Sequence, residues 1–381
     1  MPAIIHLITP YLFHTGSWIY SQITGILGYQ NFVFTQKKEN LDQFPFEKVY
    51  WPGDFSGGKQ LINRVYRRFS DRYGLFFRRA TDSIRPSLFH AHMGYEAARW
   101  LRFVRQTGLP LVTTFYGLDV SQLGRIPKWQ RRYLNLFDYG AVFLAEGSFL
   151  KKQLIGLGCP PEKIKVQHLG VPLERYPVKS YGGINDKKKF IILQVATFRE
   201  KKGIEYALQA IAALRSEHEN IEFRLIGKGD TNEAELRIRK RIEALNIGDC
   251  VTLPGAKSHI ETLQEMAHAD ILLQPSVTAA DGDNEGGAPV SVIEASGIGL
   301  PVVSSFHADI PEVVKNGTTG LLAPERNVEE LTKHLHNLLS HPGMMSQMGT
   351  AGRVHVEQEY NLSRQIAKLE QLYSSILAMK Q

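Results

Sequence analysis

The chain has 381 residues, 43% of them hydrophobic and 22% charged, with a formal net charge of +7. That balance excludes a disordered or fibrous chain, and the length exceeds one comfortable core, so two domains are expected. Two cysteines, Cys159 and Cys250, lie far apart without metal-type spacing, which excludes a disulfide framework and fits a reducing compartment.

The opening MPAIIHLITPYLF lacks a basic start and a small-residue cleavage site, so it reads as a strand and not a signal peptide. No apolar run approaches the roughly 18 residues a membrane-spanning helix needs, and a cytoplasmic protein is expected. Strand-like runs follow at 4–8, 31–35, 88–92, 110–115, 141–145 and 165–168, with helical patterns at 18–27, 61–79, 95–106 and 148–157. Residues 59–85 carry eight basic side chains, Lys59, Arg64, Arg67, Arg68, Arg72, Arg78, Arg79 and Arg85, against Asp71 and Asp82. Interleaved with aromatic and aliphatic residues, they suit an anionic membrane surface, and equally a solvated helix face. No nucleic-acid module accompanies them.

A polar stretch at 173–187 has linker composition. Beyond it strands recur at 190–195, 221–226, 251–253, 271–274 and 301–304, separated by helices at 203–215, 233–245 and 261–268. Such alternation predicts an α/β chain with parallel sheets, as two doubly wound halves at 1–172 and 188–358. A terminal amphipathic helix within 359–381 completes the chain. Ligands of such sheets sit beyond the strand C-termini, so binding is expected in a cleft between halves.

The densest chemistry lies in QPSVTAADGDNEGGAPVSVIEASGIGLPVVSS, residues 274–305. Strand, glycine loop, helix and strand leave unpaired N–H groups at a helix start, which favours an anion. Glu285 and Glu294 flank that start; carboxylates beside an anion make sense where they hold its hydroxyl groups, and a nucleotide sugar has both kinds of group. Lys201-Lys202-Gly203 forms a strand-to-helix turn whose lysines can reach a diphosphate.

Three ordered pieces, Val195-Ala196-Thr197-Phe198-Arg199-Glu200-Lys201-Lys202-Gly203, Leu225-Ile226-Gly227-Lys228-Gly229 and the two-glutamate segment, resemble the retaining GT-B glycosyltransferases of family 4, the glycosyl transferases group 1. The resemblance implies two Rossmann-like domains facing each other across a cleft. It also implies a UDP- or GDP-type sugar donor in the second domain, a glycan or lipid-linked acceptor on the first, and no required metal. It assigns Lys202 to the diphosphate, with Arg199 as a shifted second cation where relatives carry an arginine at the Thr197 position. Glu294 is assigned to the ribose, Glu285 to the transferred hexose, and the Gly287 and Ala288 amides to phosphate or sugar. The two glutamates are nine residues apart where eight is usual, an insertion placed in the loop. In the first half the resemblance points to Gly16 and His92 near the donor and to Asp119 and Tyr116 on the acceptor side, Tyr116 standing where many relatives have histidine. Envelope polysaccharide or glycolipid synthesis, on the inner face of the plasma membrane, is the implied setting. Two rivals remain: a nicotinamide-dependent oxidoreductase, disfavoured because Thr9-Pro10-Tyr11 and no G-x-G-x-x-G follows the first strand, and a non-enzymatic basic surface-binding protein.

Overall fold

Short runs of Ile, Val, Leu and Phe bounded by turn residues become strands buried on both faces, as parallel pairing beneath covering helices requires. The computed structural model describes residues 1–13, 16–54, 74–182 and 189–379. The chain divides into two compact units, 1–170 with 362–381, and 171–361.

In the first unit the strands are β1 (Ala3–Leu7), β2 (Gln30–Phe34), β3 (Val49–Tyr50), β4 (Leu88–His92), β5 (Leu111–Phe115), β6 (Val142–Ala145) and β7 (Ile164–Val166). All are parallel, in the order β3-β2-β1-β4-β5-β6-β7. One sheet face carries an aromatic core of Phe34, Phe77, Phe89, Trp100, Phe103, Phe115 and Phe143. The other takes the C-terminal helix Leu362–Ala378, whose Ile366, Leu369, Tyr373 and Ile376 pack on Ile4, Leu88, Val112 and Leu144. Each such side chain contributes about 1.5–3 kcal/mol by leaving water, which holds the chain's last helix to this unit.

Three histidines run through that packing. His6 on β1 and His90 and His92 on β4 are fully buried. The amide nitrogen of Asn31 donates to the Ile26 carbonyl, so its oxygen is the acceptor for His6 Nε2–H at 3.1 Å. His6 Nδ1 must then accept, from His92 Nε2–H at 3.1 Å, and His92 Nδ1 accepts the Tyr116 hydroxyl at 2.9 Å. His90 is bonded to the Tyr373 and Thr114 hydroxyls. Burial lowers the His6 pKa to about 4, against a smaller opposing bond to Asn31. Burial, and then the neighbouring imidazoles, hold His90 and His92 well below the ordinary histidine range.

The second unit contains β8 (Phe190–Val195), β9 (Ile221–Ile226), β10 (Val251–Gly255), β11 (Ile271–Gln274), β12 (Val302–Ser305) and β13 (Gly320–Ala323). The order β10-β9-β8-β11-β12-β13, again parallel, places the topological switch between β8 and β11. Ligands of doubly wound sheets bind at the C-terminal ends of the strands at such a switch. Gly203 sits there with φ +64°, and a Cβ on it would run into the Pro275 carbonyl, so only glycine lets the Lys202 turn pack this close to the loop after β11.

Several elements differ from expectation. Helix Pro127–Tyr139 was not anticipated, although Tyr133, Leu136 and Phe137 bury at helical spacing. The two-residue β3 is too short to stand out in sequence, and the four-residue β13 was not anticipated. The described part of the linker-like stretch is packed chain: Lys179 N–H donates to the Ile298 carbonyl, and Leu173 and Tyr176 lie against Gly297. Of the basic stretch 59–85, residues 59–73 lie outside the described residues, as does His14 after the first strand. Its described end, helix Gly74–Ile84, buries Phe76, Phe77 and Ala80 in the core of its own unit.

The histidine chain makes stability depend on pH. Folded pKa values below the unfolded 6.5 mean that stabilisation is complete above pH 6.5 and is lost as pH falls towards 4 and below. Each neutral buried histidine adds up to about 1.4 kcal/mol per pH unit to that slope. Denaturant unfolding of the first unit's signal between pH 7 and 4 should show the loss. His90→Gln, which keeps a donor and an acceptor, should make the slope shallower by about one proton; an unchanged slope contradicts the assignment.

Candidate active site

At the switch point of the second unit the loop leaving β8 ends in a short turn, Glu200–Lys202, and Gly203 then starts the helix Ile204–Arg215. The loop leaving β11 runs from Pro275 to Pro289 and starts the helix Val290–Ile298. The two loops meet through Lys202 and Glu285. Lys202 Nζ donates to both carboxylate oxygens of Glu285, at 2.7 and 2.9 Å, and Ser276 Oγ adds a third bond at 2.7 Å. The side chains are 18% and 5% exposed. Burial opposes ionisation of Glu285, but the Lys202 and Lys201 ammonium groups, with the bonds from Lys202 and Ser276, outweigh it and bring its carboxyl below the usual glutamate range.

Lys201, one residue earlier, is committed elsewhere, to Asp283 and the Asn284 carbonyl. Its bonds and that of Val277 N–H to the Lys201 carbonyl sew the two loops together. Arg199 also has a partner, since its Nε donates to Asp230. The structure therefore brings Lys202 and Glu285 together and turns Arg199 to a different acid.

Glu294 lies in the second turn of its helix, 7% exposed. Tyr176 donates its hydroxyl at 3.0 Å and His259 its Nε2–H at 2.6 Å, both to Oε1. Among the described residues no group bonds Oε2, which leaves that oxygen for a ligand hydroxyl. The bond from His259 to Glu294 raises the His259 pKa against a smaller effect of burial. The amides of Gly287 and Ala288, at the start of the same helix, meet no protein acceptor among the described residues. Sequence reasoning missed Tyr176, His259 and Ser276. Tyr176 stands 118 residues from Glu294 and in a segment of linker composition, so no local signal marks it.

In the first unit the residues singled out gather at the C-terminal ends of β4 and β5. His92 has both ring nitrogens taken, by His6 and Tyr116. Tyr116 is 9% exposed and packs beside Trp18, and it borders a small cavity of about 20 Å³ with Trp18, Gln22, Gln167 and Gln365. Asp119 turns inward: its carboxylate accepts the Gly94, Tyr116 and Gly117 amides and fixes the turn after β5. Burial pushes its pKa up to about 6, against those three bonds. Gly16 begins the helix Ser17–Gly25, its amide on the Phe13 carbonyl, and a Cβ there would crowd that carbonyl.

Two clusters among the described residues gather three metal-type donors. In His6, His90 and His92 the ring nitrogens already hold hydrogen bonds to protein groups. Glu217, His218 and His336 form a partly exposed group on the second unit. No helix among the described residues is long and apolar enough to cross a membrane.

The family model for glycosyl transferases group 1 matches residues 182–355, and that for glycosyltransferase family 4 matches residues 27–175. The chain is 35% identical over 287 residues to the amylovoran biosynthesis glycosyltransferase AmsK of Erwinia amylovora, covering 74% of this chain and 69% of that protein. It is 33% identical over 292 residues to the putative colanic acid biosynthesis glycosyltransferase WcaL of Salmonella typhimurium, covering 74% and 70%. In fold it is similar to Anabaena HepE, solved in complex with UDP and glucose, with TM-score 0.79 and 16% identity over 98% of this chain and 100% of that one. Two parallel-sheet α/β units, these family matches and that likeness make the fold GT-B, and the chain belongs to the family 4, group 1 glycosyltransferases.

Proposed function

We propose that this glycosyltransferase moves a sugar from a nucleoside-diphosphate sugar to a hydroxyl of a glycan or lipid-linked acceptor in envelope polysaccharide synthesis, with anomeric configuration retained. The observation that carries this reading is the part-buried Lys202–Glu285 pair at the β8/β11 switch, on the loop that also carries Gly287 and Ala288 and leads into the helix of Glu294. The HepE complex with UDP and glucose supports a nucleotide-sugar donor on this fold.

A diphosphate competes with Glu285 for the Lys202 ammonium. As the bond between the anomeric carbon and the phosphate oxygen breaks, charge grows on that oxygen, and Lys202 and the two amides are preorganised donors for it. The acceptor oxygen bonds the same carbon from the same face, and its proton passes to the leaving phosphate. Glu285, released from Lys202, holds hexose hydroxyls, and Glu294 Oε2 holds the ribose. Arg199 adds positive charge at the rim of the turn while bonded to Asp230. On the first unit Tyr116 presents its hydroxyl oxygen to the acceptor sugar. His92 Nδ1 accepts the hydrogen bond from the Tyr116 hydroxyl and so fixes its direction.

Thermal unfolding with UDP, GDP, UDP-glucose, GDP-mannose and NAD tests the donor class. A nucleotide present at a hundred times its Kd adds about 2.7 kcal/mol to apparent stability. One uridine or guanosine series should raise the midpoint, with NAD inert; stabilisation by NAD alone would return the oxidoreductase reading.

With the donor so identified, Lys202→Ala should lower kcat by about 10²–10³-fold, the usual cost of one oxyanion donor. Glu294→Gln should act mainly on donor KM, because a ribose contact is the same in ground and transition states. Steady-state kinetics checks both, and wild-type values in either variant remove that residue from the site.

A further inference from the structure

The loop that carries Glu285 is fastened at two points to one histidine–carboxylate pair, the histidine buried and the carboxylate partly so. His307 follows β12, its side chain 1% exposed. Its Nδ1 lies 2.7 Å from Glu325 Oε1, a carboxylate oxygen that can only accept, so Nδ1 carries a proton. Its Nε2 lies 3.1 Å from the backbone nitrogen of Glu285, a group that can only donate, so Nε2 is the acceptor. The imidazole is thereby fixed as one neutral tautomer, spanning the Glu325 carboxylate and the Glu285 main chain.

Glu325 holds the other end of the loop. Its carboxylate accepts Thr278 N–H at 2.8 Å and the Thr278 hydroxyl at 3.2 Å, while Arg326 donates to Glu325 and to the Thr278 carbonyl. Burial alone would raise the Glu325 pKa, yet the bonds from His307 and Thr278 hold it below the usual range. Nothing else on the described chain offers the Glu285 amide an acceptor. An amide shielded from water and left without an acceptor favours a rearrangement of the loop that restores one.

We propose that His307 is a positioning residue for glycosyl transfer: its Nε2 fixes the Glu285 main chain, and so the direction in which that carboxylate meets Lys202 and the transferred sugar, with Glu325 fixing the imidazole. The inference rests on the donor-site reading above and adds a group that does not itself touch the donor. A shift of the Glu285 carboxylate alters the alignment of the hexose at the anomeric carbon. The nucleotide contact at Glu294 does not pass through His307, and a Glu285 carboxylate drawn away from Lys202 leaves that ammonium to the diphosphate.

The test compares wild type with His307→Phe, which keeps the ring volume but removes both nitrogens, and His307→Gln, whose amide can donate to Glu325 and accept from Glu285. Binding of UDP and GDP is measured by calorimetry, and turnover by hydrolysis of UDP-glucose and GDP-mannose. Exchange of the Glu285 amide reports the bond itself. In His307→Phe, kcat should fall by about ten- to a hundredfold, as misplacement near a reacting centre does, with nucleotide affinity no weaker than that of wild type. The Glu285 amide should exchange faster. His307→Gln should recover most of the kcat and the protection.

Wild-type kcat in His307→Phe overturns the inference. So does a parallel loss of affinity, kcat and thermal midpoint that His307→Gln fails to recover, because that pattern is a structural role. A wild-type protein that binds neither nucleotide and hydrolyses neither sugar nucleotide overturns the donor-site reading, and the inference with it.

Discussion

The ammonium of Lys202 and the carboxylate of Glu285 meet at 2.7 and 2.9 Å inside a crevice that leaves them 18% and 5% exposed. Two charges taken from water at such a site gain little net stability from each other, and a pair of apolar residues would often serve the fold as well. Removing one partner, by contrast, strands the other and costs about 3–5 kcal/mol. A pair of this kind is poised: an arriving anion can take the lysine, and the freed carboxylate then needs hydroxyl donors. A sugar diphosphate brings both at once. The β8/β11 switch, Gly203 against Pro275, and the Lys201 bonds across the loops all keep these two side chains in register.

The first unit relies on neutral hydrogen bonds where the second uses charge. From Tyr116 through His92 and His6 to Asn31, each proton has one direction fixed by the group beyond it. Buried imidazoles held below their ordinary pKa add no charge near the sheet switch between β1 and β4. What reaches the strand ends is an oriented hydroxyl, on a residue whose ring is itself buried. The same logic recurs at His307, where a carboxylate and a main-chain amide choose the tautomer.

The alternation of strands and helices was legible because fully buried parallel strands read as short apolar runs, and glycine turns punctuate them. Lys202, Glu285 and Glu294 stand out in the sequence because each sits at or just beyond a strand-to-helix connection with a recognisable motif. Their partners were not. Tyr176 reaches Glu294 from 118 residues away, His307 reaches Glu285 across 22, and His6 meets His92 across 86. Such contacts follow from strand order and helix packing, which set distances that sequence separation does not contain. Asp119 was placed on the acceptor side by the family resemblance; in the structure its carboxylate accepts three backbone amides, one of them from Gly94 at the start of another helix, a contact that sequence separation hides. In the described part of 173–187, Tyr176 and Lys179 are held by polar contacts to distant residues, and no apolar period marks them in the sequence.

The claim on which this account turns is that Glu285 neutralises Lys202 in the empty site and yields it to a diphosphate. Glu285→Gln keeps the shape and the Ser276 bond but removes the charge. Titration of this variant and wild type with UDP and GDP, followed by thermal unfolding, measures the exchange directly. The account predicts a lower midpoint without nucleotide, a larger rise on adding the cognate nucleotide, and a tighter Kd than wild type. An unchanged midpoint together with an equal or weaker Kd would contradict it.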